Sequence, residues 1–363
     1  MRSCRAATSI WIGSAPSSSL DASGDVLRMD TLIIPQSLVP ELLPMAECID
    51  VMAEALLALA HGDAVLPLRS MVWMPDQSGL LGLMPAYLGA PKSLGLKVIS
   101  YLPGNHGGDR DSHQGAVLLF DTQSGALLAM IDASSITAIR TAAVSGLATR
   151  LLAREDAGDL ALLGSGVQAS THLEAMRTVR KLRRVRVCSL SLPRAQAFAR
   201  HHEETLGFPI EAVTTAKDAA LGADLICTTT PSREPVLFGE WIAPGAHINA
   251  VGACFAATRE LDTAAVVRSR LYVDRRQSAL AEAGDFLIPK TEGAIGDDHI
   301  VGEIGEILAG RVPARRSPRE ITLFKSLGIA IEDLAAAHHI HTRARALGKG
   351  IAVDFGGRRV AYD

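Results

Sequence analysis

Residues 159–176 read DLALLGSGVQASTHLEAM, an apolar run that stops at Gly164-Ser165-Gly166 and gives way at once to an amphipathic segment. Few architectures turn a strand into a helix on two glycines. Gly164, Gly166 and Ala169 spell Gly-x-Gly-x-x-Ala. The first glycine permits a tight turn, the second lets a pyrophosphate reach the backbone, and the alanine lets helix and sheet pack closely. The helix N-terminus adds unpaired amides and the positive end of a dipole. In this setting the motif points to a dinucleotide. The chain then alternates, with strands expected at LALLG, RVRVCSL, IEAV, DLICTTT, AHINAVG and RLYVD. Helical segments such as VQASTHLEAMRTVR and PRAQAFARHHEETLG lie between several of them. Such alternation builds a parallel sheet with helices on its faces.

Upstream the pattern differs. PMAECIDVMAEALLALAHG carries its apolar residues near a 3.6-residue period and ends on Gly62, so it reads as a helix. SMVWMP, LLGLMPAYLG and LGLKVISYLPG are β-like, and GAVLLFDTQSGALLAMID reads as a hairpin. SSITAIRTAAVSGLATRLLA reads as a long helix capped by a serine, and ITLFKSLGIAIEDLAAAHHIHTRARALG closes the chain with another long helix. The expected fold class is α/β. A Rossmann-type parallel-sheet domain over residues 146–324 is inserted in a discontinuous α+β domain made of residues 29–145 and 325–363. Residues 1–28, with only a three-residue apolar island at Ile10-Trp11-Ile12, read as a disordered extension and not as a secretory signal.

Composition narrows the partners. Hydrophobic residues make up 48% and aromatics 4%, which favours aliphatic α/β packing over an aromatic-rich β sandwich. A formal net charge of −3 offers no electrostatic case for nucleic acid or an anionic membrane. No apolar stretch is long enough to span a bilayer. Cys4, Cys48, Cys188, Cys227 and Cys254 are scattered without a CxxC pair, a pattern that suits reduced thiols in the cytoplasm. His338 and His341 sit three apart on the closing helix with no carboxylate or cysteine at ligand spacing, so no metal is assigned to them. RVPARRSPRE is a basic loop in an acidic chain, and the acids of TEGAIGDDHIVGEIGE read as a solvated loop and helix start.

The strand RVRVCSL should end at the adenine ribose, where an NAD-binding fold places an acid on the 2′-hydroxyl. Here the strand end is Cys188-Ser189-Leu190-Ser191, with Arg194 just beyond. Serine hydroxyls and an arginine suit a 2′-phosphate, so the expected cofactor is NADP(H) ahead of NAD(H).

LGLKVISYLPGN, HQGAVLLFD, ITAIRTAAVSGLA, LGSGVQA, GAHINAVGA, RELD, EIGEILAG and FKSLGIAIEDLAAA follow one another in this chain. In that order they resemble the ornithine cyclodeaminase/mu-crystallin family, from about Met29 to the end of the last helix. The resemblance implies a homodimer, an NAD(P)-binding Rossmann domain and a dimerisation domain that helps form the substrate pocket. It also assigns residues. Arg140 matches the arginine that grips the substrate carboxylate, a role its planar fork suits. Lys97 matches a lysine at the substrate, and Arg69 a second arginine. Ser112, Thr141, Val167, Gln168, Thr230, Val251, Gly252 and Ser326 fall where the family touches the cofactor, and Leu327 falls at the meeting of cofactor and substrate.

One departure matters. Bacterial ornithine cyclodeaminases carry an aspartate three residues after the valine of NAVGA and a lysine four residues beyond, and the aspartate handles the proton of the ornithine amine. Here those places hold Cys254 and Thr258. What survives is a nicotinamide site beside a carboxylate clamp, sufficient to reduce a cyclic imino acid such as Δ1-pyrroline-2-carboxylate or Δ1-piperideine-2-carboxylate. Lys97 either polarises or protonates the imine nitrogen or simply joins the clamp. Ornithine cyclodeaminase and a cofactor-binding protein without turnover are the competing readings.

Overall fold

A computed structural model describes residues 30–105 and 108–357. The extension expected over residues 1–28 lies outside the described residues. The chain first lays down β1 (Thr31–Ile34), α1 (Met45–His61), β2 (Ala64–Val65), β3 (Ser70–Trp73), β4 (Leu80–Gly89), β5 (Lys92–Tyr101), β6 (His113–Phe120) and β7 (Leu127–Asp132). It leaves this sheet through the twenty-residue α2 (Ala133–Leu152). A second sheet follows, of β8 (Asp159–Leu163), β9 (Arg184–Cys188), β10 (Ile210–Ala212), β11 (Leu225–Thr228), β12 (His247–Ala250), β13 (Ser269–Val273), β14 (Ile300–Glu303) and β15 (Ile321–Lys325). Its longer helices are α3 (Val167–Val179) and α4 (Leu192–Leu206). Finally α5 (Ala330–Leu347) packs on β4, β5 and β6, and β16 (Ile351–Val353) pairs with β1. The chain thus returns to its first sheet after building the second.

The two sheets differ as their sequences require. The second runs β10-β9-β8-β11-β12-β15-β13-β14 with every pair parallel. β11, β12 and β15 are buried along their whole length, as strands covered on both faces must be. The first runs β16-β1-β7-β6-β5-β4-β2, with β3 also on β4, and is antiparallel except for β1 beside β7. Its central strands alternate. Met84, Ala86, Lys97, Ile99, Val117 and Leu119 face inward, while Leu81 and Leu94 on the opposite face are exposed.

α2 is buried on nearly every side, so it lacks the polar stripe of a surface helix. Small residues make this possible: a Cβ at Gly146 would lie 3.0 Å from Ile49 of α1 and 3.4 Å from Ala175 of α3.

Three sequence expectations need correction. The cap of α2 is not a serine but Asp132, whose carboxylate accepts from the Ser135 amide at 2.8 Å. ITLFK does not lead into the closing helix; it is β15, between β12 and β13. A fully buried strand shows no two-residue alternation, so its run of apolar residues cannot be told from helix by period. TEGAIGDDHIVGEIGE likewise contains a strand, β14. No helix among the described residues is long and apolar enough to cross a membrane.

Removing the α2 cap by Asp132→Ala should cost about 1 kcal/mol of stability. Chemical denaturation of the purified variant measures it, and a cost near zero would show that the cap does not hold α2.

Candidate active site

In the second sheet β9 lies on one side of β8 and β11 on the other, so the crevice at their carboxyl ends is where a ligand binds such a sheet. The glycine turn stands at that crevice. Gly164 has φ +121°, and a Cβ there would lie 2.6 Å from Thr229 Oγ1, so only glycine fits. Gly166 caps α3 in an extended conformation, and a Cβ there would meet nothing within 4 Å. Packing therefore does not demand this glycine; it keeps the first turn of α3 open to a ligand. Ala169 is fully buried under the sheet.

Around the turn the expected cofactor residues take several positions. Ser189 follows β9, its hydroxyl 2.7 Å from that of Ser165. Arg194 is exposed in the first turn of α4, and Val167 is exposed at the start of α3. Thr141 is buried on α2 beside Arg140. Ser112 precedes β6, with Oγ 3.0 Å from His113 Nδ1. Gln168 Oε1 and Ser326 Oγ are buried and make no hydrogen bond among the described residues. Buried polar atoms left unpaired are costly, and a dinucleotide's polar groups would satisfy them. In this respect the residues present fit a nicotinamide dinucleotide.

Thr230, Val251 and Gly252 follow β11 and β12, and Thr230 and Gly252 are held by a residue the sequence reading did not single out. Glu260, fully buried in RELD, accepts from Thr228 Oγ1 at 2.8 Å, the Thr230 amide at 2.6 Å, Thr230 Oγ1 at 2.7 Å and the Gly252 amide at 2.6 Å. Burial pushes its pKa up, and Asp285 pushes the same way against Lys325. A Cβ at Gly252 would clash with the Thr230 backbone, so the clasp also needs glycine.

The expected substrate residues gather where the first sheet meets this edge. Lys97 projects inward from β5 between Met84 of β4 and Val117 of β6. Arg140 reaches the same place from α2. Both are buried, and both meet carboxylates of α5. Asp333 Oδ2 is 2.7 Å from Lys97 Nζ, Asp333 Oδ1 accepts from Arg140 Nε at 2.9 Å, and Glu332 Oε2 accepts from Arg140 Nη1 at 2.7 Å. Arg140 Nη2 makes no hydrogen bond among the described residues, which leaves it for a ligand.

Charge follows from this packing. Burial works against the Arg140 cation, but Asp333 and Glu332 more than offset it. Burial raises the Glu332 carboxyl to about 8 despite Arg140 beside it. Burial also opposes the Asp333 anion, yet Arg140 and Lys97 hold its pKa below the usual range. Asp333 stands between the two cations and Glu332 on the far side of Arg140, an arrangement that leaves Arg140 Nη2 to receive one substrate carboxylate.

Arg69 ties the two regions together. Its Nη2 donates to the carbonyls of Leu327 and Gly328 at 2.8 and 2.9 Å, and its Nε pairs with Glu282 at 2.9 Å. Asp274 accepts from the amides of the same two residues at 2.6 and 2.7 Å. Gly328 has φ +71°, and a Cβ there would crowd the Arg140 guanidinium, 2.8 Å from Nη2. The Ser326-Leu327-Gly328 turn, at the end of β15, is thus fixed directly beside the clamp.

At the departing positions, Cys254 Sγ donates to the Val251 carbonyl at 3.4 Å and Thr258 Oγ1 to the Phe255 carbonyl at 3.0 Å. Both satisfy their own loop.

The model of the ornithine cyclodeaminase/mu-crystallin family matches residues 29–348. The chain belongs to this family. It is 41% identical over 280 residues to ketimine reductase mu-crystallin of Mus musculus, covering 77% of this chain and 85% of that protein. The structure of Thermococcus litoralis Δ1-pyrroline-2-carboxylate reductase, in complex with NADH and L-proline, superposes with a TM-score of 0.87 at 39% identity, over 89% of this chain and 100% of that one. An archaeal alanine dehydrogenase dimer with bound NAD superposes at 0.85 with 33% identity, over 90% and 100% of the two chains.

Gly166 allows a sharp test of the turn. Gly166→Ala has room for its methyl group, so stability should change by no more than about 0.5 kcal/mol. NADH affinity, followed by fluorescence titration, should fall about tenfold or more because the methyl group blocks the pyrophosphate's approach. Unchanged affinity would remove the turn from the cofactor site.

Proposed function

We propose that this protein is an NAD(P)H-dependent reductase of cyclic imino acids that converts Δ1-pyrroline-2-carboxylate to L-proline. The observation that carries this reading is the buried clamp of Lys97 and Arg140, held by Asp333 and Glu332, beside the Ser326-Leu327-Gly328 turn at the carboxyl edge of the second sheet. The reductases among its relatives support the same chemistry.

When bound, reduced nicotinamide supplies a hydride for the imine carbon. The chain's own residues do the rest. Gly164, Gly166, Val167 and Gln168 hold the pyrophosphate half, with Ser189 and Arg194 at the adenine ribose. Thr230, Val251, Gly252, Ser326, Ser112 and Thr141 surround the nicotinamide half. Arg140 Nη2 takes the substrate carboxylate, Arg69 fixes the turn that carries Leu327, and Lys97 faces the imine. The two bodies divide this work. Residues 146–324 carry most of the cofactor contacts, and residues 29–145 with 325–363 supply the clamp together with Ser112, Thr141 and Ser326 at the nicotinamide.

Ornithine deamination asks for more. Each of its proton transfers needs an acid or base on call, and the loop carrying Cys254 and Thr258 offers neither a carboxylate nor an ammonium there. The protein works in the cytoplasm as a homodimer. The apolar outer face of the first sheet, with Val72 58% exposed and Leu81 and Leu94 39% and 41%, is what a second copy would cover.

Purified protein given Δ1-pyrroline-2-carboxylate should oxidise NADPH at least as well as NADH and form L-proline, because Ser189 offers no acid to repel a 2′-phosphate. The same protein given L-ornithine and NAD+ should release little or no ammonia. Ammonia release at a rate comparable to imine reduction would restore the cyclodeaminase reading.

A further inference from the structure

We propose that Asp333 is a positioning residue for the reduction: it holds Lys97 as an ammonium group facing the substrate and so makes Lys97 the proton donor to the imine nitrogen. The inference rests on the reductase reading above.

The geometry is specific. Asp333 is 1% exposed and divides its two oxygens between two cations, Oδ2 to Lys97 Nζ at 2.7 Å and Oδ1 to Arg140 Nε at 2.9 Å. Lys97 is 3% exposed, flanked on its sheet by Met84 and Val117. Among the described residues, the charged groups acting on it are Asp333 from α5, Arg140 from α2 and Arg69 from the segment before β3, while Glu332 of α5 pairs with Arg140.

Asp333 is the group that opposes loss of the lysine's charge. Burial lowers the Lys97 pKa, Arg140 and Arg69 lower it further, and Asp333 counters them, leaving it at about 8. Without that carboxylate a lysine in this place would be neutral near pH 7 and could donate nothing. Asp333 is itself no candidate donor, because Arg140 and Lys97 hold it ionised.

The step balances. As hydride adds to the imine carbon, the π electron pair of C=N moves to nitrogen and takes a proton from Nζ. The C=N bond becomes CH–NH, Lys97 is left as a neutral amine, and solvent returns its proton after product leaves. A substrate that enters already protonated would need no such donor, and the test below separates the two cases.

The experiment is the pH dependence of kcat/KM for Δ1-pyrroline-2-carboxylate. Donation requires the ammonium form, so activity falls as pH rises through the Lys97 pKa. The wild-type limb should lie near 8, as set by the buried pair. In Asp333→Asn it should move down by about one pH unit or more, the effect of removing an opposite charge at this range. In Glu332→Gln, which leaves the Lys97 partner in place, the limb should stay at the wild-type position. NADH affinity should match wild type in both variants. Lys97→Arg should still bind L-proline, lose about 100-fold in turnover, and show no alkaline limb, since arginine stays charged and donates poorly.

An active Asp333→Asn whose limb has not moved would overturn the proposal and leave Asp333 as scaffold. A limb that persists in Lys97→Arg would also overturn it, by assigning the limb to the substrate, and this result stands even if Asp333→Asn does not fold. A wild-type chain that reduces no cyclic imino acid would bring down the reductase reading itself, a different failure from an unmoved limb.

Discussion

The site depends on one buried ionic cluster. Arg140 from α2, Lys97 from β5 and the Glu332-Asp333 pair from α5 meet with almost no access to water. Taking charges out of water is costly, and deleting one member of such a set typically costs about 3–5 kcal/mol because its partner is left unpaired. Three elements distant in sequence are thereby held in one register. Gly95 makes the approach possible: a Cβ there would lie 2.6 Å from Leu334 Cδ1, so α5 sits low on β5 and Asp333 reaches Lys97.

The second sheet handles its carboxyl edge by the same physical device with different partners. Asp274 receives the amides of Leu327 and Gly328, Glu260 those of Thr230 and Gly252, and Asp285 those of Glu260 and Leu261. Each buried carboxylate satisfies backbone donors at strand ends that would otherwise be orphaned, and Lys325 pairs with Asp285 at 3.0 Å. The loops facing the cofactor are therefore held by the protein's own carboxylates. Preorganisation of this kind spares the protein the cost of ordering those loops on binding.

Much of this was legible in the sequence, and the failures have physical causes. The glycine turn could be read because Gly164 answers to a backbone constraint that no other residue meets and Gly166 stands at the open start of α3. Arg140 and Lys97 entered only through the family resemblance, on the segments ITAIRTAAVSGLA and LGLKVISYLPGN. Glu332 and Asp333 were quoted in FKSLGIAIEDLAAA but given no role, since two adjacent acids near a helix start ordinarily face solvent and the dipole. Residues 330–337 are all buried, and only the three-dimensional packing reveals it. A carboxylate pair inside a helix of alanines and aliphatics was the available signal. β15 was missed because burial on both faces erases alternation. Glu260 was missed because two of its four donors are backbone amides and the other two are threonine hydroxyls about thirty residues upstream, a pairing that only the fold brings together.

The central claim is that Arg140, held by Asp333 and Glu332, grips the substrate carboxylate beside the nicotinamide. Arg140→Lys keeps the charge and loses the planar fork. For Δ1-pyrroline-2-carboxylate the account predicts a fall in kcat/KM equivalent to about 1.5–3 kcal/mol, with NADH affinity retained. Unchanged kcat/KM in that variant would contradict the account and move the carboxylate site elsewhere.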